Sequence, residues 1–235
     1  MELNAYAKIN LSLDVLGERE DGYHDVRMIT QSINLHDVLR FNERQNGIRL
    51  YCTNSKVPCD STNTVYKAFM IIKERFGITS GMEADIEKNI PCAAGLAGGS
   101  TDAAAAIIAA NELWNIKMTY GEMLQIAKQV GADVPFFLKG GCMLAEGIGE
   151  VLTEINSIKG VNIVLAKPNI SVSTKETYQS LHLDEIVLRP DIDRLARALN
   201  DGNIKYVADN MVNVLEVVTA KKYPVIGEIK NIMIQ

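Results

Sequence analysis

The chain contains 235 residues, of which 47% are apolar and 23% are charged, and its formal net charge is −5 at pH 7. This length and composition allow a sizeable buried core and indicate a soluble globular protein with one large or two modest domains. The negative charge argues against general binding to nucleic acid or to an anionic membrane surface, so neither partner is expected. Any phosphate chemistry must therefore depend on a local arrangement of positive groups.

The cysteines and the N-terminus both indicate a cytoplasmic protein. Cys52, Cys59, Cys92 and Cys142 include no C-x-x-C pair, and the three histidines stand apart from them. This pattern predicts neither a zinc site nor a disulfide framework, and reduced thiols are typical of the cytosol. No uncharged apolar stretch approaches about 18 residues, so we expect neither a targeting signal nor a transmembrane helix.

The first predicted element is a half-buried strand over residues 5–16. Its apolar residues occupy alternate positions, and Lys8 and Asn10 lie together on the opposite, polar face. A solvated strand face is the alternative explanation for these two side chains. Asp21-Gly22 is a strong hairpin signal, and Tyr23-His24 begins the return segment.

The middle of the chain shows both strand and helix patterns. Asn63 supplies N-cap chemistry ahead of apolar residues at helical spacing, and Gly77 is the stop signal. The patterns predict a strand at 48–52, a helix between Asn63 and Gly77, helices from Ser100 to about Trp114 and from Tyr120 to Val130, and strands around the glycine-rich stretch 140–152.

Residues 91–101 form a glycine-rich loop that runs into an alanine-rich helix. Three glycines allow a tight turn and close approach to a ligand, and a helix start offers unpaired amides and about half a positive charge. These properties predict an anion site, to which Ser100 and Thr101 could add hydroxyl donors. The loop is not a Walker A motif, because no lysine lies between Gly95 and Asp102. A flexible turn before a buried helix is the alternative.

A single carboxylate, Asp133, follows the helix that ends at Gly131. An acidic residue at a helix C-terminus opposes the helix dipole, which favours a functional role for it. A turn aspartate bonded to its own backbone is the alternative.

The last third of the chain is mainly helical in pattern. Residues 161–166 read as a strand, and the helices are expected at 174–181, 191–199, 203–219 and 224–233. A lone strand has no partner, and the last helix has no stop signal. We therefore expect the chain to be truncated at its C-terminus.

Three separated motifs taken together resemble the GHMP kinases, the group that contains galactokinase, homoserine kinase and the mevalonate kinases. The motifs are Ala7-Lys-Ile-Asn-Leu11 with Asp21-Gly-Tyr-His24, the stretch from Pro91 to Ala104, and Gly131-Ala-Asp-Val-Pro135. The first motif is similar to that of the members that act on a cytidine-diphosphate-linked methylerythritol. A third, C-terminal glycine motif of the family is absent.

The resemblance implies an α+β fold with two domains and a defined activity. Residues 1–156 would form an N-terminal domain like ribosomal protein S5 domain 2, which binds ATP and carries catalysis. Residues 157–235 would form a ferredoxin-like C-terminal domain of helices and sheet, incomplete at its end. The implied activity is ATP- and Mg²⁺-dependent phosphorylation of the 2-hydroxyl of that small-molecule substrate, in the non-mevalonate (MEP) isoprenoid pathway, by a monomer or weak homodimer.

The resemblance also implies roles for individual residues. Lys8 and Asp133 correspond to the catalytic pair, and Tyr23 and Tyr178 would sandwich the cytosine. The implied substrate-binding set is Asn10, Tyr23, His24, Asp133 and Tyr178. The implied ATP-binding set is Asn63, Lys88, Pro91, Ala93, Ala94, Gly95, Leu96, Ala97, Gly98, Gly99, Ser100 and Thr101, and no protein ligand is assigned to the metal.

Two other functions stay open at this point. The same fold could phosphorylate a homoserine- or mevalonate-type substrate, although these lack a base for Tyr23 and Tyr178 to stack on. The missing C-terminal motif would instead fit a non-catalytic nucleotide-binding module.

Overall fold

The computed structural model describes residues 1–234, which contain both strands and helices. In chain order the elements are β1 (Glu2–Glu18), β2 (His24–Arg44), β3 (Ile48–Cys52), α1 (Thr64–Phe76), β4 (Gly81–Glu87), α2 (Gly98–Leu113), α3 (Tyr120–Val130), α4 (Val134–Phe137), β5 (Cys142–Glu146), β6 (Val151–Ile155), α5 (Thr174–Gln179), a 3-10 turn (Leu183–Glu185), α6 (Ile192–Asn200), α7 (Ile204–Asn210), α8 (Glu216–Lys222) and α9 (Val225–Ile234).

The fold divides into two compact units whose segments alternate along the chain. Unit 1 comprises Met1–Lys8, Ser32–Cys92 and Leu96–Gly140, and unit 2 comprises Ile9–Gln31, Ala93–Gly95 and Gly141–Gln235. Strands β1 and β2 each contribute residues to both units. These units do not test the predicted domain boundary between residues 156 and 157, which stays a prediction.

Unit 1 packs helices α1 to α4 against a short piece of sheet. Strand β3 runs parallel to β4, and β4 runs antiparallel to the second half of β2, where Phe41 pairs with Ala84. The core includes Phe41, Phe69, Ile72 and Met82, together with the run of alanines in α2. Because alanine is small and a strong helix former, α2 lies close to its neighbours.

The ends of the helices in unit 1 are set by local side chains. Asn63 Oδ1 accepts the Val65 amide at 2.8 Å at the start of α1, and Gly77 closes the helix in the left-handed region with φ 63°. Thr119 and Glu122 form a capping box at the start of α3. The sequence predictions for these two helices are therefore confirmed.

Unit 2 contains the strands around the glycine-rich stretch and the C-terminal helices. The first part of β2 pairs antiparallel with β5, and β5 pairs antiparallel with β6. Arg27 on β2 donates to Glu146 on β5 at 2.9 Å and to Asp193 on α6 at 2.8 Å, and so links the sheet to a helix. A core that includes Leu11, Ile29 and Leu195 lies between these elements.

The helix predicted over 203–219 is wrong, because tertiary pairing interrupts it. The structure has α7 and α8 instead, and the residues between them bond to β1. The Leu13 amide donates to Val212 O at 2.9 Å, and the Val214 amide donates to Leu13 O at 3.0 Å. Asn213 also bonds its own turn, since its Oδ1 accepts the Leu215 amide. These bonds replace the backbone bonds that a continuous helix would make.

The strand predicted over residues 161–166 is also wrong. These residues have no regular structure and are exposed, and the side chain of Val164 is 75% exposed. A strand is stable only when a neighbour pairs with its backbone, and among residues 1–234 no strand pairs with this segment. Strand β4, in contrast, was not predicted.

Unit 1 buries one ammonium between two carboxylates, and this group is the main polar feature of its interior. Lys88 Nζ donates to Asp102 Oδ2 at 2.9 Å and to Asp37 Oδ2, and the exposed fractions of the three side chains are 4%, 4% and 0% for Lys88, Asp102 and Asp37. Burial raises the pKa of Asp102 to about 7, although the Lys88 charge acts in the opposite direction. Burial alone lowers the pKa of Lys88, but the two carboxylates outweigh it and leave that pKa raised.

This group predicts a pH dependence of stability that Asp102→Asn removes. The folded protein holds a proton on Asp102 between about pH 4 and about 7, whereas the unfolded chain releases it, so stability falls as pH rises through this interval. The pKa difference corresponds to about 4 kcal/mol at most. Urea unfolding of both proteins at pH 5 and pH 8 should show the variant gaining stability relative to the parent at pH 8. A constant difference between the two proteins would contradict the buried charge.

Candidate active site

The backbone of the glycine-rich loop adopts a conformation that suits an anion. Ala93, Gly95 and Ala97 all have positive φ, at 50°, 73° and 55°. Left-handed alanines are uncommon and cost about 1 kcal/mol each, so surrounding structure must hold them. Left-handed residues at alternating positions are a feature of the backbone nests whose amides bind anions. This backbone is compatible with the predicted anion site, which stays a prediction.

Helix α2 begins directly after this loop and has no side-chain cap. Its N-cap residue, Ala97, makes no side-chain hydrogen bond, and the amides of Ser100 and Thr101 donate to Ala97 O at 3.0 Å each. Because no side chain caps α2, the amides of Gly98 and Gly99 at its start could bind a ligand of negative charge. Ser100 is half-buried and Thr101 is buried, at 3% exposed.

Helix α1 supports the start of α2 through Thr64. The Thr64 hydroxyl donates to Gly99 O at 2.7 Å. The preceding Asn63 uses both ends of its amide for structure, since Oδ1 caps α1 and Nδ2 donates to Pro58 O at 2.6 Å. The implied nucleotide role of Asn63 stays a prediction.

The first strand reaches the loop at Lys8. The Lys8 amide donates to Leu96 O at 3.2 Å, so β1 is hydrogen-bonded to the loop at this point. The Lys8 side chain is buried, at 7% exposed, which differs from the solvated strand face that was the alternative.

Asp133 lies at the junction of two helices in unit 1. It follows α3 and occupies the N-cap position of the short helix α4, which packs against α2. The sequence analysis expected the dipole of the preceding helix to disfavour a carboxylate here. That expectation does not hold, because Asp133 also stands at the start of α4, where a helix dipole favours negative charge. The half-buried carboxylate makes no cap hydrogen bond, so it is not the self-bonded turn aspartate that was the alternative.

Lys88 was expected on the nucleotide side, and the structure places its ammonium between Asp37 and Asp102. A Cβ atom on Gly98 would lie only 2.7 Å from Lys88 Nζ and 3.1 Å from Ile90 Cγ2, so a larger residue at the start of α2 would displace the ammonium. The two aspartates were missed by the sequence analysis. Nothing in the local sequence indicates their pairing, because Asp37 lies 51 residues before Lys88 and Asp102 lies 14 residues after it.

Unit 2 holds the residues expected to bind the nucleobase. The rings of His24 and Tyr178 lie 5.2 Å apart at 40°. Tyr23 is 56% exposed, and its amide donates to Asp21 Oδ1 at 3.0 Å in the hairpin turn. Asn10 Oδ1 accepts the Thr30 hydroxyl at 3.2 Å. The structure thus brings His24 and Tyr178 together and leaves the Tyr23 ring open to a ligand.

Residues 1–234 contain neither a membrane-spanning helix nor a cluster of potential metal ligands. In this part of the chain no helix is both long enough and apolar enough to cross a membrane. It also contains no group of three or more His, Cys, Asp or Glu side chains that could hold a metal ion.

The sequence of the chain is similar to the sequences of one kinase family. Residues 63–141 match the GHMP kinases N terminal domain. The chain is 56% identical to a 4-diphosphocytidyl-2-C-methyl-D-erythritol kinase of Acetivibrio thermocellus, over 98% of this chain and 82% of the relative. It is 46% identical to the kinase of the same name from Caldicellulosiruptor bescii, over 99% of this chain and 82% of the relative.

Solved structures give the same family. The crystal structure of a 4-(cytidine 5'-diphospho)-2C-methyl-D-erythritol kinase matches with a TM-score of 0.78 and 29% identity, covering 98% of this chain and 81% of that one. A homoserine kinase from Cytophaga hutchinsonii shares the fold with a TM-score of 0.66 at 20% identity, covering 91% and 71% of the two chains. The predicted α+β GHMP kinase fold is confirmed. The chain belongs to the 4-diphosphocytidyl-2-C-methyl-D-erythritol kinases of the GHMP kinase family.

Proposed function

We propose that this chain transfers a phosphoryl group from ATP to the 2-hydroxyl of 4-diphosphocytidyl-2-C-methyl-D-erythritol, a step of the non-mevalonate route to isoprenoid precursors. The observation that carries this proposal is the 56% identity to a kinase of that name over 98% of the chain. The left-handed loop and the uncapped start of α2 support it, since both suit the phosphates of ATP.

Phosphoryl transfer requires alignment of the reactants and positive charge around the moving group. The loop amides and the α2 N-terminus would hold the ATP phosphates, but the loop itself carries no lysine. Lys8 would supply the cation, because its backbone is bonded to the loop and its side chain is buried. Mg²⁺ carried by the ATP would supply further positive charge, and such an ion usually takes only one or two carboxylates from the protein.

Asp133 would position the acceptor hydroxyl and accept its proton. A carboxylate is a weak base, but in a loose transition state the hydroxyl becomes acidic only as its bond to phosphorus forms. Support comes from its position before α4, which packs on the phosphate helix α2, and from its lack of a cap bond.

The cytosine would be held by aromatic side chains of unit 2. Tyr23 and Tyr178 would stack on the base, and His24, which lies against Tyr178, would bond the base edge. Asn10, fixed through its bond to Thr30, would contact the same substrate.

Three further properties belong to this proposal. The free thiols of all four cysteines fit a cytoplasmic location. The net charge of −5 fits a protein that binds a small molecule and neither nucleic acid nor membrane, as a monomer or weak homodimer. We place the boundary between the ATP-binding domain and the C-terminal domain at residues 156 and 157.

The substrate assignment is tested by turnover with different acceptors. ATP consumption should be observed with the diphosphocytidyl substrate and should fall at least a hundredfold with methylerythritol phosphate that lacks the cytidylyl group. Equal turnover of the two, or preference for homoserine or mevalonate, would assign another GHMP substrate. ATP binding without phosphate transfer to any acceptor would indicate a nucleotide-binding module.

Asp133→Asn should lower kcat by at least a thousandfold and leave ATP affinity within twofold, because only the acceptor proton loses its base. Steady-state kinetics and calorimetric ATP binding measure the two effects. The exposed Asp184→Asn is the matched control and should retain the parent kcat. An equal loss of ATP affinity would show that Asp133 is structural.

Tyr178→Ala should raise the KM for the diphosphocytidyl substrate about tenfold, since stacking on one base contributes roughly 1 to 3 kcal/mol. The KM for ATP should stay unchanged, and Tyr178→Phe should behave like the parent because it keeps the ring. Tyr51→Ala, which removes another exposed ring, controls for surface effects. A parallel rise in both KM values would assign Tyr178 to general packing.

A further inference from the structure

The residues on either side of the glycine-rich loop are joined by one buried side chain. Lys88 follows β4 directly, and its amide donates to Thr53 Oγ1 at 2.9 Å. Its ammonium reaches past the start of α2 and donates to Asp102 Oδ2 at 2.9 Å. The lysine therefore connects the chain before the loop to the helix after it.

Asp37 fixes the segment that enters the loop. Its Oδ1 accepts the amides of Asn89 and Ile90 at 2.6 and 2.8 Å, and its Oδ2 accepts Lys88 Nζ. The carboxylate is fully buried and receives donors only. It therefore holds both the backbone just before Pro91 and the ammonium that reaches α2.

The start of α2 is shaped to this lysine. The ideal Cβ of Gly98 would meet Lys88 Nζ at 2.7 Å and Ile90 Cγ2 at 3.1 Å, whereas that of the next residue, Gly99, would lie 3.5 Å from Thr64 Oγ1. The close contact is thus specific to the first glycine of the helix. The ammonium therefore lies close to the first residue of α2, the helix whose N-terminus would face the ATP phosphates.

Stability alone does not account for this arrangement. Two carboxylates share one ammonium, and Asp102 Oδ1 is buried without a hydrogen-bond partner among residues 1–234. A buried ion pair is often no more stable than a well-packed apolar replacement, and in some proteins such a group instead fixes a single geometry. Here the fixed geometry is that of the loop.

We propose that Lys88 and Asp102, anchored by Asp37, are positioning residues that hold the glycine-rich loop in its ATP-binding shape. The proposal rests on the ATP-binding role of the loop given above. Lys88 would then affect ATP binding indirectly, through the backbone of the loop, because its ammonium is paired with the two carboxylates.

Two substitutions at one position separate this role from general stability. Asp102→Asn keeps an oxygen that can accept from Lys88, whereas Asp102→Ala removes it. Both leave one carboxylate against one ammonium, and alanine is the best helix former, so both variants should fold. The only intended difference is the link between Lys88 and α2.

The affinity for MgATP, measured by calorimetry without an acceptor, should fall at least fivefold in Asp102→Ala and stay within twofold in Asp102→Asn. Hydrogen exchange of amides 91–101 should accelerate in Asp102→Ala only. The KM for the diphosphocytidyl substrate should be unchanged in both. These results would support the positioning role, because a merely structural residue lowers the amount of active protein and moves neither affinity nor local exchange.

Equal MgATP affinity and equal loop exchange in the two variants would overturn the proposal. A loss of affinity for both substrates in Asp102→Ala would also overturn it, as general loosening of the fold. If the parent protein phosphorylates no diphosphocytidyl substrate but Asp102→Ala still binds MgATP more weakly than Asp102→Asn, the function fails and the link between Lys88 and α2 stands.

Discussion

One ammonium shared by two carboxylates, out of contact with water, determines how unit 1 is built around its loop. Charges in the protein interior carry a large desolvation penalty, and they attract one another strongly. The atoms around them therefore have little conformational freedom. The Asp37 carboxylate accepts hydrogen bonds from the ammonium and from the backbone amides of Asn89 and Ile90. These bonds fix the chain from Lys88 to Ile90. The first residue of the neighbouring helix is Gly98, and a Cβ atom there would lie 2.7 Å from the ammonium. The position of α2, and with it the direction of its amides, follows from these contacts.

Local signals in the sequence were sufficient where the physics is local. Asn63 and Gly77 delimit α1 because a side-chain oxygen satisfies an unpaired amide at one end and a left-handed glycine closes the other. The alternation around Lys8 predicted a strand, and Asp21-Gly22 predicted the turn that follows it. The glycine-rich loop was predicted to be an anion site from the same kind of local signal, and this role stays a prediction. The left-handed conformations of Ala93 and Ala97 were not predictable, since alanine disfavours them and only the surrounding fold can impose them.

The remaining features depend on partners that are distant in the chain. The local sequence of residues 203–219 does not predict the interruption of the helix, because hydrogen bonds between Leu13 and residues 212–214 cause it. The apolar pattern of residues 161–166 is that of a strand, but a pattern cannot supply the neighbour that a strand requires. Lys88 was assigned to the nucleotide side by resemblance alone, and its two carboxylates come from 51 residues before it and 14 residues after it. Such pairings are visible only once the fold is known.

The two left-handed alanines have a consequence for how the loop meets a ligand. Glycine at either position would remove the backbone strain, but it would also allow the unbound loop many more conformations. The entropy of those conformations would then be lost on binding. Alanine narrows that range beforehand, so the ordering is completed when the polypeptide folds and not when a nucleotide arrives. The loop is therefore preorganised, and little conformational entropy remains to be lost when a ligand binds.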